Sequence, residues 1–241
     1  MKRVAIFDVD GTVFRSSLLI EVTDELVAEK LLPPSVSRAY EQAHAKWLDR
    51  EGSYEDYIGA LIRAFETKIK GVPRKAFIKI AKQVVARSGK HVYRYTRDLT
   101  ASLKKKGYYL LAISNSPLDI LQPFCAGLGF DKVYGRIYET GRTGKFTGKT
   151  AYLDLITDKA KILRRAVEKE GLTLNDSIGV GDTEADIPFL KLVVRPICFN
   201  PNKKLLTAAK RNGWKVVVER KDVIYQNIGI QVKKPQLLKT P

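Results

Sequence analysis

Short apolar runs that end in polar residues recur along this chain, and each predicts a buried strand. The first run, Arg3 to Phe7, leads into Asp-Val-Asp-Gly-Thr, a combination typical of a strand followed by a tight turn. Later runs of the same kind are Tyr108 to Ile113, Lys132 to Tyr134, Ser177 to Val180, Pro196 to Phe199 and Lys215 to Val218. Helical patterns alternate with these later strands. Such alternation predicts an α/β fold with a mainly parallel sheet and helices on both faces.

The region between the first two predicted strands lacks strand signals and carries apolar residues at helical spacing. We therefore expect a helical insertion at 17–91 within a core formed by 1–16 and 92–232. The Gly- and Thr-rich segment from Arg136 to Thr150 is compatible with a hairpin or an ordered loop. The tail 233–241, which has two prolines and no apolar period, is expected to be loosely held.

The composition favours a globular protein, because 241 residues with 44% hydrophobic content suffice to bury a core. No apolar run approaches the roughly 20 residues of a membrane helix. Lys2 and Arg3 lead directly into the first strand rather than into a secretory signal, so we expect a cytoplasmic protein. Cys125 and Cys198 have no metal-ligand neighbours in sequence, which favours buried free thiols over a disulfide or a metal role.

The formal net charge of +17 is the unusual feature of the composition. Such a charge attracts anionic substrates, nucleic acids or acidic membrane surfaces. The basic residues are spread along the chain, however, with short clusters such as Lys104 to Lys106. We therefore favour a solvated basic surface, with nucleic acid as a less favoured partner.

Polar residues follow several of the predicted strands or begin the next helix. They are Asp8, Asp10, Ser114, Lys159, Asp182 and Asp186. Ligands of parallel sheets bind outside the carboxyl ends of the strands, so these residues predict one phosphoryl-transfer site. Asp8 is the candidate nucleophile, and Asp10 the candidate acid that protonates the leaving oxygen and later deprotonates water. Because a strand alternates its faces, these two residues lie on the same side.

A phosphate dianion beside several carboxylates is repelled unless a cation neutralises them. Mg²⁺ prefers oxygen ligands, which makes it the expected cofactor. Asp8 and Asp182 are the expected direct ligands of the ion, and Asp186 is expected in the layer of residues that surrounds these ligands. An alternative to metal binding is that Asp182 and Asp186 only stabilise the N-terminus of a helix through its dipole.

Four residues are candidates for binding the phosphoryl oxygens: Gly11 through its N–H, Ser114 through its hydroxyl, the adjacent Asn115, and Lys159 through its charge. Ser114 is also suited to cap the following helix. Lys161 competes with Lys159, since both begin the same predicted helix, but they face different ways. The spacing between Lys159 and the apolar face of this helix favours Lys159 as the phosphate-binding residue. Nothing in the sequence chooses among Arg15, Arg38 and Arg63 as contacts for a substrate anion.

These residues also carry a family resemblance. Asp8-Val-Asp-Gly-Thr12, the strand ending in Ser114, Lys159 at a helix start and Gly181-Asp-Thr-Glu-Ala-Asp186 resemble the four ordered motifs of the haloacid dehalogenase-like hydrolase superfamily. Further strings, including Ser114-Asn-Ser-Pro117 and Phe146-Thr-Gly148, resemble the branch that contains phosphoserine phosphatase. The likeness extends over nearly the whole chain.

The resemblance implies a Rossmann-like core with a helical cap between the first two motifs. It implies that Asp8 is the nucleophile, that Asp10 is the acid/base and also touches the metal through its backbone carbonyl, and that Asp182 is a metal ligand. Ser114 and Lys159 would bind phosphate.

Within the superfamily, Asp10 separates phosphate ester chemistry from the metal-free dehalogenases, which lack this second acid. Gly11 and Ser17 depart from the pattern of the phosphoserine enzymes, which have a serine and a glutamate at the matching places. The sequence thus predicts a magnesium-dependent phosphatase that hydrolyses a small phosphomonoester, a phosphorylated metabolite, through an aspartyl-phosphate on Asp8. It predicts an enzyme similar to phosphoserine phosphatase, but it does not identify the substrate. The alternatives are a phosphotransferase or mutase with the same aspartyl-phosphate, and a basic nucleic-acid-binding protein on this fold.

Overall fold

The computed structural model describes residues 1–227 and has an eight-stranded sheet at its centre. The strands are β1 Lys2–Phe7, β2 Tyr109–Pro117, β3 Lys132–Thr140, β4 Phe146–Ala151, β5 Leu172–Gly181, β6 Arg195–Phe199, β7 Lys215–Arg220 and β8 Val223–Gln226. Their order across the sheet is β4-β3-β2-β1-β5-β6-β7-β8. The inner six strands are parallel, and β4 and β8 add to the two edges in antiparallel fashion.

Ten α-helices lie among these strands within residues 1–227. They are α1 Leu18–Ala28, α2 Ser35–Leu48, α3 Tyr54–Lys68, α4 Arg74–Ser88, α5 Arg94–Lys105, α6 Leu118–Gly127, α7 Leu153–Ile156, α8 Lys159–Lys169, α9 Ile187–Leu190 and α10 Lys203–Asn212. The predicted α/β fold with a mainly parallel sheet is confirmed.

The two faces of the sheet pack against different helices, as the alternation of side chains along a strand requires. In β1, Ala5 and Phe7 belong to one buried apolar cluster, and Val4 and Ile6 belong to a second. The first cluster includes residues of α1–α6, and the second includes residues of α7–α10. Helices therefore cover both faces, as predicted.

The helices α1–α4 all lie between β1 and β2 in the chain. Their buried residues, such as Val22 and Phe77, belong to the same apolar cluster as Phe7 and Ala112 of the sheet. The assignment of 17–91 to a separate cap stays a prediction. The predicted tail 233–241 and the last residues of the predicted core lie outside the described residues.

Several element bounds differ from the sequence prediction. The segment Arg136 to Thr150, left open as hairpin or loop, lies largely in the antiparallel pair β3–β4. Strand β5 begins at Leu172, five residues before the predicted start. Its first residues pair with Lys2 and Arg3, and the register shifts before Ala5. This irregularity breaks the apolar period that a sequence pattern detects.

Two further sequence predictions concern cysteine and membranes. Cys125 and Cys198 are free and buried, as predicted, and burial raises the pKa of both thiols. Among residues 1–227, no helix combines the length and the hydrophobicity needed to cross a bilayer.

Candidate active site

The candidate site lies where the central strands β1, β2 and β5 end. The Asp8 N–H donates to the Val180 carbonyl at 2.9 Å and thereby extends the pairing of β1 with β5 by one residue. Asp182 follows the end of β5, and Ser114 lies in the last part of β2. Because β1 pairs with both β2 and β5, the three segments reach the same edge of the sheet.

A buried lysine joins two of the predicted acids. Lys159 begins α8, whose N-terminus is capped by the Asp158 side chain. The Lys159 Nζ donates to Asp8 Oδ1 and to Asp186 Oδ1, both at 2.5 Å. Burial alone would lower the pKa of the Lys159 ammonium, but the Asp186 and Asp8 carboxylates offset this and raise it. The two carboxylates therefore favour the charged form of Lys159. Lys161, its competitor in the sequence, is exposed.

Three carboxylates converge beside this lysine. One oxygen each from Asp8, Asp182 and Asp186 lies within 4.8 Å of the other two. Burial raises the pKa of Asp8 to about 7, and the neighbouring carboxylates add to this rise against the effect of Lys159. Burial and the Asp8 charge also raise the pKa of Asp182. One lysine does not compensate three carboxylates, so this cluster favours an additional cation.

Asp186 is fully buried and holds the loop that carries Asp182. Its Oδ2 accepts hydrogen bonds from the N–H groups of Asp182 at 2.9 Å and Thr183 at 3.1 Å. Its Oδ1 accepts from Lys159. A Cβ on Gly181 would come within 2.6 Å of Asp186, which explains the glycine there. The predicted role of Asp186 in metal binding stays a prediction, and these contacts support a role in positioning.

Asp10 lies apart from the three-carboxylate cluster. Its Oδ1 accepts from the Leu18 N–H at 2.6 Å, and its Oδ2 accepts from the hydroxyls of Ser116 at 2.8 Å and of Ser114. Burial raises the pKa of Asp10, and these hydrogen bonds oppose that rise. Asp10 is thus held at the start of α1, and its predicted metal contact through the backbone carbonyl stays a prediction.

Gly11 closes the turn between Asp10 and the loop before α1. Its φ angle is +80°, and an added Cβ would overlap the Asp182 carboxylate. Its N–H donates to the Phe14 and Ser16 carbonyls at 3.0 and 3.1 Å. The predicted contact of this N–H with phosphate stays a prediction, because the group is already engaged within the turn.

Ser114 and Asn115 face different partners. The Ser114 hydroxyl donates to Asp10 and accepts from the Ser116 N–H at 2.9 Å. The buried Asn115 Oδ1 has no hydrogen-bond partner among the described residues. Asn115 lines a small cavity of about 60 Å³ together with Asp8, Asp10 and Lys159. This oxygen is therefore available to accept a hydrogen bond from a donor in the cavity.

A second, much larger cavity of about 900 Å³ adjoins the small one. The two cavities share the lining residues Ser17, Tyr54, Asp182 and Thr183. The position of Asp182 in both linings places the three-carboxylate cluster at their junction.

The sequence prediction missed the wall of this large cavity. Five aromatic residues of α2 and α3 line it, which we call the aromatic wall: Tyr40, His44, Trp47, Tyr54 and Tyr57. The first three recur at spacings of four and three residues and so share one face of α2. This spacing was a usable signal that the sequence analysis did not use.

The three candidate arginines have different surroundings. Arg15 and Arg38 line the large cavity. The Arg15 guanidinium is paired with the buried Glu219 carboxylate at 2.8 Å. Arg63 lines another groove, between α2 and α3, together with Ala39 and Ala60. Arg63 is therefore not a contact of the candidate site.

Comparison with known proteins gives relatives whose similarity extends over most of this chain. The chain is 25% identical to a histidinol-phosphatase of Neisseria meningitidis, covering 90% of this chain and 99% of that protein. It is 26% identical to a phosphoserine phosphatase of Mycobacterium tuberculosis, covering 88% and 69%. The solved structure of a phospho-aspartyl intermediate analogue of phosphoserine phosphatase superimposes on this chain with a TM-score of 0.61. The sequence identity is 21%, and the match covers 92% of this chain and 95% of that one.

The matching family model spans most of the residues of the candidate site. The model of the haloacid dehalogenase-like hydrolases matches residues 5–191, which include Asp8, Ser114, Lys159 and Asp182. The chain therefore belongs to the haloacid dehalogenase-like hydrolase family.

Proposed function

We propose that this hydrolase is a magnesium-dependent phosphatase that cleaves a small phosphomonoester through an aspartyl-phosphate on Asp8. The observation that carries the proposal is the arrangement around Asp8. Its carboxylate contacts the buried Lys159 ammonium at 2.5 Å and lies beside two further carboxylates at a cavity. The names of the relatives, a histidinol-phosphatase and a phosphoserine phosphatase, support the same reaction class.

The residues present fit a magnesium ion. The donor set of Asp8, Asp182 and Asp186 consists of carboxylate oxygens, which suit a hard cation. Burial raises the pKa of Asp8 and of Asp182, and the neighbouring carboxylates add to this rise, so a bound cation would stabilise the charged form of both groups. We propose that Asp8 and Asp182 hold the ion and that Asp186 orients Asp182. When bound, Mg²⁺ supplies positive charge that neutralises the carboxylates and the phosphoryl oxygens.

In the first step, an Asp8 carboxylate oxygen attacks phosphorus, and the bond from phosphorus to the leaving oxygen breaks. Asp10 donates its proton to that oxygen, so an alcohol leaves. Burial favours the protonated form of Asp10 that this step requires. The Lys159 ammonium and the Asn115 side chain stabilise the phosphoryl charge. The Ser114 hydroxyl joins them when its proton, which is donated to Asp10 in the structure, is donated to a phosphoryl oxygen instead.

In the second step, water attacks the phosphorus of the aspartyl-phosphate. Asp10 accepts the water proton, inorganic phosphate leaves, and the Asp8 carboxylate is restored. We propose that residues 17–91 act as the cap of this site. They contribute Ser17, Tyr54 and Glu55 to the small cavity, and so limit access of bulk water to the reacting groups.

A direct test is phosphate release from p-nitrophenyl phosphate. We expect turnover with Mg²⁺ and its loss in excess EDTA, with recovery when Mg²⁺ is restored, because the three carboxylates repel phosphate when they are not neutralised. Equimolar release of phosphate and p-nitrophenol in the presence of glycerol would establish water as the acceptor and exclude a phosphotransferase. Turnover that persists after complete removal of divalent ions would contradict the proposal.

The raised pKa of Asp8 predicts how pH affects stability without metal. The folded-state pKa of about 7 lies above the ordinary value, so the folded state binds this proton more tightly than the unfolded state. The metal-free protein is therefore stabilised as the pH falls through 7 and destabilised as it rises. We expect a higher melting temperature at about pH 6 than at about pH 8 in EDTA.

Mg²⁺ competes with this proton, so it should stabilise the protein more at about pH 8 than at about pH 6. Thermal melts with EDTA and with Mg²⁺ at both pH values measure the two effects. An equal Mg²⁺ effect at both values would show that the ion does not bind at Asp8.

A further inference from the structure

The size of the large cavity indicates what it receives. Its volume of about 900 Å³ lies near the upper end of the roughly 300–1,000 Å³ typical of small-molecule sites. The small cavity beside Asp8 is the proposed site of the phosphoryl group, which leaves the large cavity for the leaving group. A leaving group of three or four heavy atoms would leave most of this volume to water.

The aromatic wall gives the large cavity its chemical character. The Trp47 and Tyr57 rings lie 5.7 Å apart with an interplanar angle of 24°, and the His44 ring is stacked on Tyr57 at 4.6 Å. Tyr54 tilts against Trp47 at 5.5 Å. His44, Trp47 and Tyr54 are only partly buried, although each packs against another ring. Partly open aromatic side chains at a cavity wall are suited to stack against planar groups.

Tyr54 connects the aromatic wall with the reacting groups. It lines both cavities, and its ring also packs edge-on against Tyr57 at 6.0 Å. It begins α3, and the Ser53 side chain caps this helix by accepting from the Asp56 N–H at 3.1 Å. The small, buried Ser17 lines the junction as well. The path from Asp8 to the aromatic wall therefore runs past Ser17 and Tyr54.

We infer that the large cavity selects phosphomonoesters whose alcohol carries a planar aromatic or heteroaromatic ring, which stacks on the aromatic wall. The inference rests on the proposed phosphatase function and specifies its substrate class. Stacking and the burial of a ring favour such esters over those of small aliphatic alcohols. The wall sets specificity through binding of the leaving group, whereas the transfer step at Asp8 is the same for every ester.

The first test is a substrate panel assayed with Mg²⁺. Ring-bearing esters are represented by histidinol phosphate, pyridoxal 5′-phosphate and a 5′-nucleotide, and ring-free esters by phosphoserine and glycerol 3-phosphate. Acetyl phosphate, an acyl phosphate and not an ester, is added to measure the transfer step at Asp8 without a ring-bearing leaving group. We expect the best ring-bearing ester to exceed every ring-free carbon ester in kcat/KM by at least about tenfold. A ring-free ester that equals the best ring-bearing one would overturn the inference.

The second test removes one ring of the wall. Trp47→Leu keeps an apolar side chain but removes the ring, so kcat/KM for the best ring-bearing ester should fall about tenfold more than that for acetyl phosphate. The loss should lie mainly in KM, and Trp47→Phe should restore much of it. Trp214→Leu is the matched control, because Trp214 packs on the other face of the sheet.

The outcomes separate the two proposals. Equal losses for acetyl phosphate and ring-bearing esters in Trp47→Leu would assign Trp47 a structural role and overturn the inference alone. Absence of Mg²⁺-dependent hydrolysis of every ester and of acetyl phosphate would contradict the phosphatase proposal and the inference with it. Melting temperatures of the variants identify any that fail to fold.

Discussion

Replacing Asp8 by asparagine is expected to lower phosphate release by at least about a thousandfold, with the fold retained. The amide has nearly the shape of the carboxylate, but it carries no charge and is a poor nucleophile. It also leaves Lys159 paired with Asp186, so the buried ammonium keeps one counter-ion. The loss should therefore appear in kcat, since the transfer step itself is blocked.

Two measurements test the role of Asp8 directly. Steady-state phosphate release gives the size of the loss, and rapid acid quenching with a labelled phosphomonoester detects phosphate bound covalently to the protein. The unchanged protein should carry label that Asp8→Asn lacks. The control is Asp98→Asn, the same chemical change at an exposed acid of α5. Equal labelling of both variants would place the nucleophile elsewhere.

Replacing Lys159 by methionine should reduce both activity and stability. Without the ammonium, the phosphoryl charge loses a fixed partner, and we expect kcat to fall about 100- to 1,000-fold. The change also leaves the buried Asp8 and Asp186 carboxylates unpaired. Breaking a buried ion pair in this way costs about 3–5 kcal/mol of unfolding free energy.

The pH dependence distinguishes this effect from a simple loss of packing. Without Lys159, the folded-state pKa of Asp8 rises further above its unfolded value, so stability is kept at low pH and lost as the pH rises. Urea unfolding in EDTA should show a larger loss at about pH 8 than at about pH 6. Lys161→Met is the matched control, because Lys161 is exposed on the same helix. Equal losses at both pH values would show that Lys159 acts through its hydrocarbon stem.

The sequence was sufficient to predict the sheet and the residues at its edge, for a physical reason. Strands β1 and β2 are apolar runs buried on both faces, and each ends abruptly in polar residues, so both their existence and their ends leave a local signal. Lys159 could be separated from Lys161 because helical spacing assigns them to different faces, and the structure buries the first and exposes the second.

What the sequence did not predict depends on contacts between distant segments. The hydrogen bonds of the Ser114 and Ser116 hydroxyls to Asp10 join residues about a hundred positions apart, and no local pattern indicates them. The same holds for the aromatic wall, where Trp47 of α2 meets Tyr54 and Tyr57 of α3. A helical period shows that residues share a face, but it does not show what that face meets.

The continuous apolar cluster beneath α1–α4 also limits how the site can admit a substrate. Leu19 and Val22 of α1 and Phe77 of α4 are buried in one cluster with Phe7 of the sheet. Lifting these helices as a rigid lid would expose that cluster to water at about 25 cal/mol per Å² of apolar surface. Substrate exchange is therefore expected to proceed through the mouth of the large cavity while α1 and α4 stay anchored to the sheet.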